Sequence, residues 1–141
     1  MDQKAEFTRI DKSEKKMYGP RGLLVCGYPE KEREGFLNLA EKVLGDIPVV
    51  FGVNTGINDL LGELFKHGSK SGITEPSDLP RAVIMSGLSQ KELHSLMAAY
   101  REAGLVRQLW ATLTPTSETW TLKALLIELL AEAEAMSKRA Q

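Results

Sequence analysis

Four short apolar runs punctuate the chain, and amphipathic stretches fill the gaps between them. The runs are Gly22–Gly27, Ile47–Val53, Arg81–Gly87 and Gln108–Leu113, and none shows a sustained alternation of apolar and polar positions. Such runs predict strands buried on both faces, inside a sheet that helices cover from either side. After the first run, Pro29-Glu30-Lys31-Glu32 opens a helix with Pro and acids where a first turn favours them. Phe36, Leu37, Ala40, Val43 and Leu44 give it one apolar stripe, and Gly45 ends it. After the second run, Asn54-Thr55-Gly56 reads as a turn. A short helix follows through Leu60, Leu61, Leu64 and Phe65, with Asn58 or Asp59 as its cap. Residues 68–80 are rich in Gly, Ser and Pro and read as a loop with little structure.

The third run leads into Ser89-Gln90-Lys91-Glu92, a capping box. Leu93, Leu96, Met97 and Tyr100 then form a helical stripe that Gly104 closes. The fourth run leads through Leu113-Thr114-Pro115-Thr116-Ser117-Glu118-Thr119-Trp120 into a last helix. That helix has its core face on Leu122, Leu125, Leu126, Leu129 and Leu130. Ser117 is expected to cap it, with Trp120 in its first turn. Residues 1–20 mix both charge signs without a period and read as a flexible charged tail. Residues 21–141 read as a single α/β domain.

The two halves resemble each other at a fixed offset. Arg21 aligns with Arg81, Gly27 with Gly87, Lys31 with Lys91 and Glu32 with Glu92, each 60 positions on (81 − 21). The fold expected is an open, mostly parallel four-stranded sheet with helices on both faces, with two βαβα repeats as one account of the offset. The alternative is a ferredoxin-like α+β sandwich, in which two strand–helix–strand units pair antiparallel. The long segment 54–80 between the second and third runs is enough for a crossover and favours the parallel sheet.

Composition removes several function classes. The formal net charge is -1 and the sequence pI is near 6.1, so no basic face for nucleic acid is expected. No apolar run approaches the roughly 20 residues of a membrane span, and no secretory signal is expected in the first twenty residues. Cys26 is the one cysteine, which excludes an internal disulfide and fits a reducing cytoplasm. At the end of an apolar strand it is expected to be a buried, inert thiol. Neither His67 nor His94 has partners at metal spacing, so no metal and no cofactor are expected.

Over residues 82–134 the chain carries Met85-Ser86-Gly87-Leu88-Ser89, Glu92-Leu93, Tyr100 and Ala103-Gly104-Leu105. These precede Ala111, Leu113-Thr114-Pro115-Thr116, Trp120 and Leu125-x-x-Glu128-Leu129. This pattern resembles a small bacterial family catalogued only as a domain of unknown function, and Leu61-Gly62-x-Leu64 extends it. Ser117 stands where such proteins often carry Asn, and both are good caps. The resemblance implies a bacterial, soluble protein and brings no activity, cofactor or catalytic residue.

Parallel strands would gather their carboxyl ends on one edge, where open α/β sheets bind ligands. The candidate ligand-binding residues there are Gly27, Asn54, Thr55, Ser86, Gly87, Thr114, Thr116, Ser117 and Trp120, with Thr116 and Ser117 foremost. No activated nucleophile or acid–base pair accompanies them, and no catalytic residue is assigned. The leading expectation is a cytoplasmic, non-catalytic module binding a small molecule or a protein. One alternative is an enzyme acting on a small anionic substrate at the same edge. Another is an interaction protein, a homodimer formed through the last helix with Leu126 or Leu130 exposed.

Overall fold

A computed structural model describes residues 14–140. The elements are β1 (Gly22–Cys26), α1 (Glu30–Leu44), β2 (Val49–Gly52), α2 (Leu61–Leu64), β3 (Ala82–Ser86), α3 (Gln90–Glu102), β4 (Leu109–Thr112) and α4 (Leu122–Ala140). One open sheet runs in the order β2-β1-β3-β4. β1 pairs parallel with β2 and β3 parallel with β4, as strands joined through a helix must. The two central strands are antiparallel, in a register that sets Leu24 opposite Ile84. The sheet is therefore mostly parallel, as expected, with one antiparallel seam. The antiparallel meeting of two strand–helix–strand units belongs to the ferredoxin-like alternative.

Every residue of β1 and β3 is buried, which explains their unbroken apolar character. The pleat divides them between two cores. Leu23, Val25, Val49, Phe51, Val83 and Met85 join Phe36 and Ala40 of α1 and Leu96 and Tyr100 of α3. Leu24, Cys26, Val50 and Ile84 join Leu61 and Leu64 of α2 and Leu122, Leu125 and Leu126 of α4. Helices thus cover both faces. Among the described residues, no helix is long and apolar enough to cross a membrane.

Contacts recur at the 60-residue offset read in the sequence. Arg21 pairs with Glu92 at 2.8 Å and Arg81 with Glu32 at 2.9 Å, so each arginine reaches the helix of the other half. Gly27 lies under the backbone of residues 79–81, and Gly87 under that of residues 19–21. The N-termini of α2 and α4 meet and cap each other: Leu61 N–H donates to Trp120 O, and Leu122 N–H to Asp59 O. Neither Asn58 nor Asp59 caps α2 through its side chain, contrary to expectation, because this reciprocal backbone contact replaces the cap.

Two stretches are more ordered than the sequence suggested. Lys16 bridges to Ser89, Met17 N–H donates to Leu88 O, and Gly87 N–H donates to Tyr18 O, so this part of the expected tail is tied to the β3–α3 turn. The tail expected over residues 1–13 lies outside the described residues. Segment 68–80 is irregular but not loose. It covers the outer edge of β2 through Lys70 N–H to Val49 O and Phe51 N–H to Ser71 O. Arg33, buried in α1, holds the segment by donating to the carbonyls of Gly72, Ile73 and Glu75. An edge strand closed in this way cannot template another chain.

The capping box at Ser89 forms as predicted, with Ser89 Oγ accepting from Glu92 N–H and Glu92 Oε1 accepting from Ser89 N–H. Glu92 also accepts from Arg21 and Lys16. Chiefly through Arg21, its carboxyl is lowered to about 2 from an ordinary 4.5. A folded-state value below the unfolded one gives stability that is complete above pH 4.5 and lost as pH falls through about 2. Glu92→Gln is therefore expected to be less stable than the parent at pH 7, with the difference closing across that window. Urea unfolding at several pH values checks it; a difference independent of pH would remove the ionic explanation.

Candidate functional site

The antiparallel seam divides the predicted site. The carboxyl ends of β1 and β2 carry Gly27, Asn54 and Thr55 to one edge of the sheet. Those of β3 and β4 carry Ser86, Gly87, Thr114, Thr116, Ser117 and Trp120 to the opposite edge. A single edge gathering all nine residues does not exist, because β3 enters the sheet against β1 rather than with it.

Most of these residues are occupied with architecture. Gly27 N–H donates to Ser77 Oγ. Asn54 bonds Asp78 twice, through its side-chain amide and to the Asp78 N–H, and Thr55 donates to Glu75. All three fasten segment 68–80. Thr114 and Ser117 form a closed pair: each backbone N–H donates to the other's hydroxyl, and the hydroxyls lie 3.1 Å apart. Ser117 is buried in a single 3-10 turn, Ser117–Thr119, and does not cap α4; Thr121 does, accepting from Ala124 N–H. Trp120 precedes the helix in an extended conformation and packs on the α2–α4 core. Ser86 is buried with no partner for its hydroxyl among the described residues. Thr116 is exposed, and its carbonyl accepts from Thr119. Local hydroxyl–backbone bonding is what such residues do at turns.

The larger of two neighbouring concavities lies at the Gly27 edge, around Tyr28. It is a cleft of about 390 Å³ between α1 and the α3–β4 turn, and its walls include Phe36, Leu39 and Leu105. Tyr28 and Arg81 also line it, with Glu32 and Lys42. The Arg81 guanidinium stacks on the Tyr28 ring at 3.8 Å, donates from Nε to Tyr100 Oη at 3.0 Å, and pairs through Nη1 with Glu32. Its second terminal nitrogen, Nη2, is buried and has no acceptor among the described residues. Tyr28 Oη donates to Gln108 Oε1 at 2.7 Å, and the Gln108 amide nitrogen is likewise buried without a partner. Burial, with Tyr100 close by, holds the Tyr28 hydroxyl protonated well above the usual tyrosine range.

An apolar cleft with a few convergent polar groups is the usual form of a small-molecule site. Reasoning from the sequence misses Arg81, Gln108, Leu39 and Leu105 here. The available signal is for Arg81, a charged residue at the start of a buried strand, where a polar side chain must find a partner or a ligand.

The second concavity, about 290 Å³, lies beside Tyr28 and Arg33 and is rimmed by Glu30, Glu75 and Asp78. Those carboxylates oppose the anionic ligand that the N-terminus of α1 would otherwise favour. Among the described residues, no three His, Cys, Asp or Glu side chains converge to hold a metal. Burial pushes the Cys26 thiol up to about 12, so it is inert at neutral pH.

Residues 81–136 match the model of a family described as a domain of unknown function (DUF3783). The match agrees with the resemblance to a family of that kind read over residues 82–134. Neither curated proteins nor solved structures give a match. The matched segment takes in β3, α3, β4 and most of α4. It supplies Arg81, Ala103 and Leu105 to the cleft, and Tyr100 and Gln108 as partners of Arg81 and Tyr28, while Tyr28, Phe36 and Leu39 come from the other half.

Proposed function

We propose that the protein is a non-catalytic module that binds a small, largely apolar molecule in the cleft between α1 and the α3–β4 turn. The observation that carries this reading is the half-buried Arg81 guanidinium, stacked on Tyr28 with its Nη2 covered and unbonded, beside an apolar cavity of about 390 Å³. The groups at the cleft suit binding better than turnover: Glu32 is neutralised by Arg81, and the Tyr28 hydroxyl stays protonated. A lone buried Cys26 fits a reducing, cytoplasmic setting. The contacts recurring 60 positions apart support reading the chain as a duplicated βαβα unit whose halves have diverged at this cleft.

A thermal-shift screen tests the proposal. Aliphatic and aryl acids or amides should raise the melting temperature by linkage, and Leu105→Asp should suppress the shift, since Leu105 is 40% exposed on the rim. Shifts by phosphorylated, fully polar compounds alone, or shifts that survive Leu105→Asp, would overturn it.

A second reading rests on α4. Ile127 is 57% exposed and Leu130 46%, one turn apart, while Leu126 is buried. This face fits dimerisation with a second copy. Light scattering should then give twice the monomer mass, and Leu130→Glu should halve it; a monomer at high concentration would sink this reading.

A further inference from the structure

Arg21 and its counterpart Arg81 differ at the second terminal nitrogen, Nη2, and that difference bears on what the cleft accepts. Arg21 and Arg81 stand at matching positions, each beside the first strand of its half, and each pairs with the glutamate of the opposite helix. Both terminal nitrogens of Arg21 are bonded. Its Nη1 donates to Glu92 Oε1, and its Nη2 pairs with Glu92 Oε2 and donates to Leu44 O at 2.9 Å. The last of these acceptors is the carbonyl at the C-terminal end of α1. In the other half, among the described residues, no carbonyl takes that place against Arg81 Nη2. Sixty positions on from Leu44 stands Gly104, beyond the end of α3 at Glu102. α1 has 15 residues and α3 has 13. The shorter helix turns away at Gly104, with φ 71°, and the residues that turn aside, Ala103 and Leu105, become a wall of the cleft. Shortening the helix thus opens the cavity and deprives Arg81 Nη2 of its acceptor.

We infer, building on the cleft as the binding site, that its ligand carries a carbonyl-type oxygen on an aliphatic body. The oxygen accepts from Arg81 Nη2, in the place that the Leu44 carbonyl takes against Arg21, and the chain lies over Phe36, Leu39 and Leu105. A buried guanidinium nitrogen without an acceptor is costly, and a hydrogen bond to a charged donor is stronger than a neutral one. Because Nη2 is covered, the oxygen reaches it as part of the wall gives way. The exposed Ala103–Leu105 turn is a part of that wall outside helix and sheet. A carboxylate and a neutral amide share the required chemistry, and Lys42 on the rim favours the carboxylate.

The test is calorimetric titration of the full chain with octanoate, octanamide and octylammonium, which share a chain and differ at its head. Octanoate and octanamide should bind, and octylammonium, a donor only, should bind at least about tenfold more weakly. Arg81→Lys keeps a cation for Glu32 but loses the forked second terminus, and it should weaken octanoate by about tenfold or more. Octanoate tighter than octanamide assigns the carboxylate; the reverse order assigns the amide. Should Arg81→Lys fail to fold, the comparison of heads on the parent protein still decides. Equal affinity for all three heads, abolished by Leu105→Asp, would overturn this inference and leave the cleft standing. Failure of all three to bind would overturn both.

Discussion

Replacing Arg33 with Met should lower the free energy of unfolding by about 1.5–3 kcal/mol, the range for hydrogen bonds to a charged group. Arg33 is 3% exposed. Its Nε donates to Tyr28 O at 3.1 Å, and its Nη1 reaches Gly72 O, Ile73 O and Glu75 O between 2.7 and 3.2 Å. Its guanidinium lies over the Phe51 ring at 5.6 Å. Methionine fills the volume but donates nothing, so four carbonyls lose a donor. Segment 68–80 then loses one of its attachments and loosens over the edge of β2. Urea unfolding measures the loss, and limited proteolysis should place new cleavage within residues 68–80. A cost below about 1 kcal/mol, the scale of one ordinary hydrogen bond, would show that the segment is held by its backbone bonds alone.

Gly27→Ala should cost about 2–5 kcal/mol, combining left-handed strain with overpacking. Its φ is 77°, and an added Cβ would stand 2.4 Å from Leu79 O and 2.7 Å from Arg81 N. Backbone on both sides leaves no flexible atom to move. Gly104→Ala separates the two causes. Its φ is 71° and an added Cβ would meet no atom within 4 Å, so only the conformational cost of about 1–2 kcal/mol applies. Equal costs at the two positions, read from thermal unfolding, would mean that the close approach of residues 79–81 contributes nothing.

The elements were legible because their signals are local. Unbroken apolar runs gave four strands near their observed bounds, and the Ser89–Glu92 box placed the start of α3. Strand direction was not legible. Burial on both faces constrains which residues are apolar and says nothing of which way β3 enters beside β1. Segment 54–80 is long enough for a crossover, but it forms one turn of helix and then the cover for β2. The same limit misled the site. Thr114, Ser117 and Asn54 were visible as clustered polar residues, yet each satisfies a nearby turn. Leu39 and Leu105 line the cleft, and nothing in a sequence separates a cleft wall from a core stripe. Arg33 resembles the solvated helix charges around it. Its spacing from Phe36, Ala40 and Leu44 puts it on the buried stripe, and that was readable.

The most direct measurement of the central claim is an amide NMR titration of the labelled protein with octanoate. Saturable shifts should concentrate at Gly35, Leu39, Arg81 and the Ala103–Leu105 turn, leaving Thr114–Trp120 in place. Saturable shifts centred on Thr114–Trp120 instead would return the site to the other edge of the sheet and contradict the account.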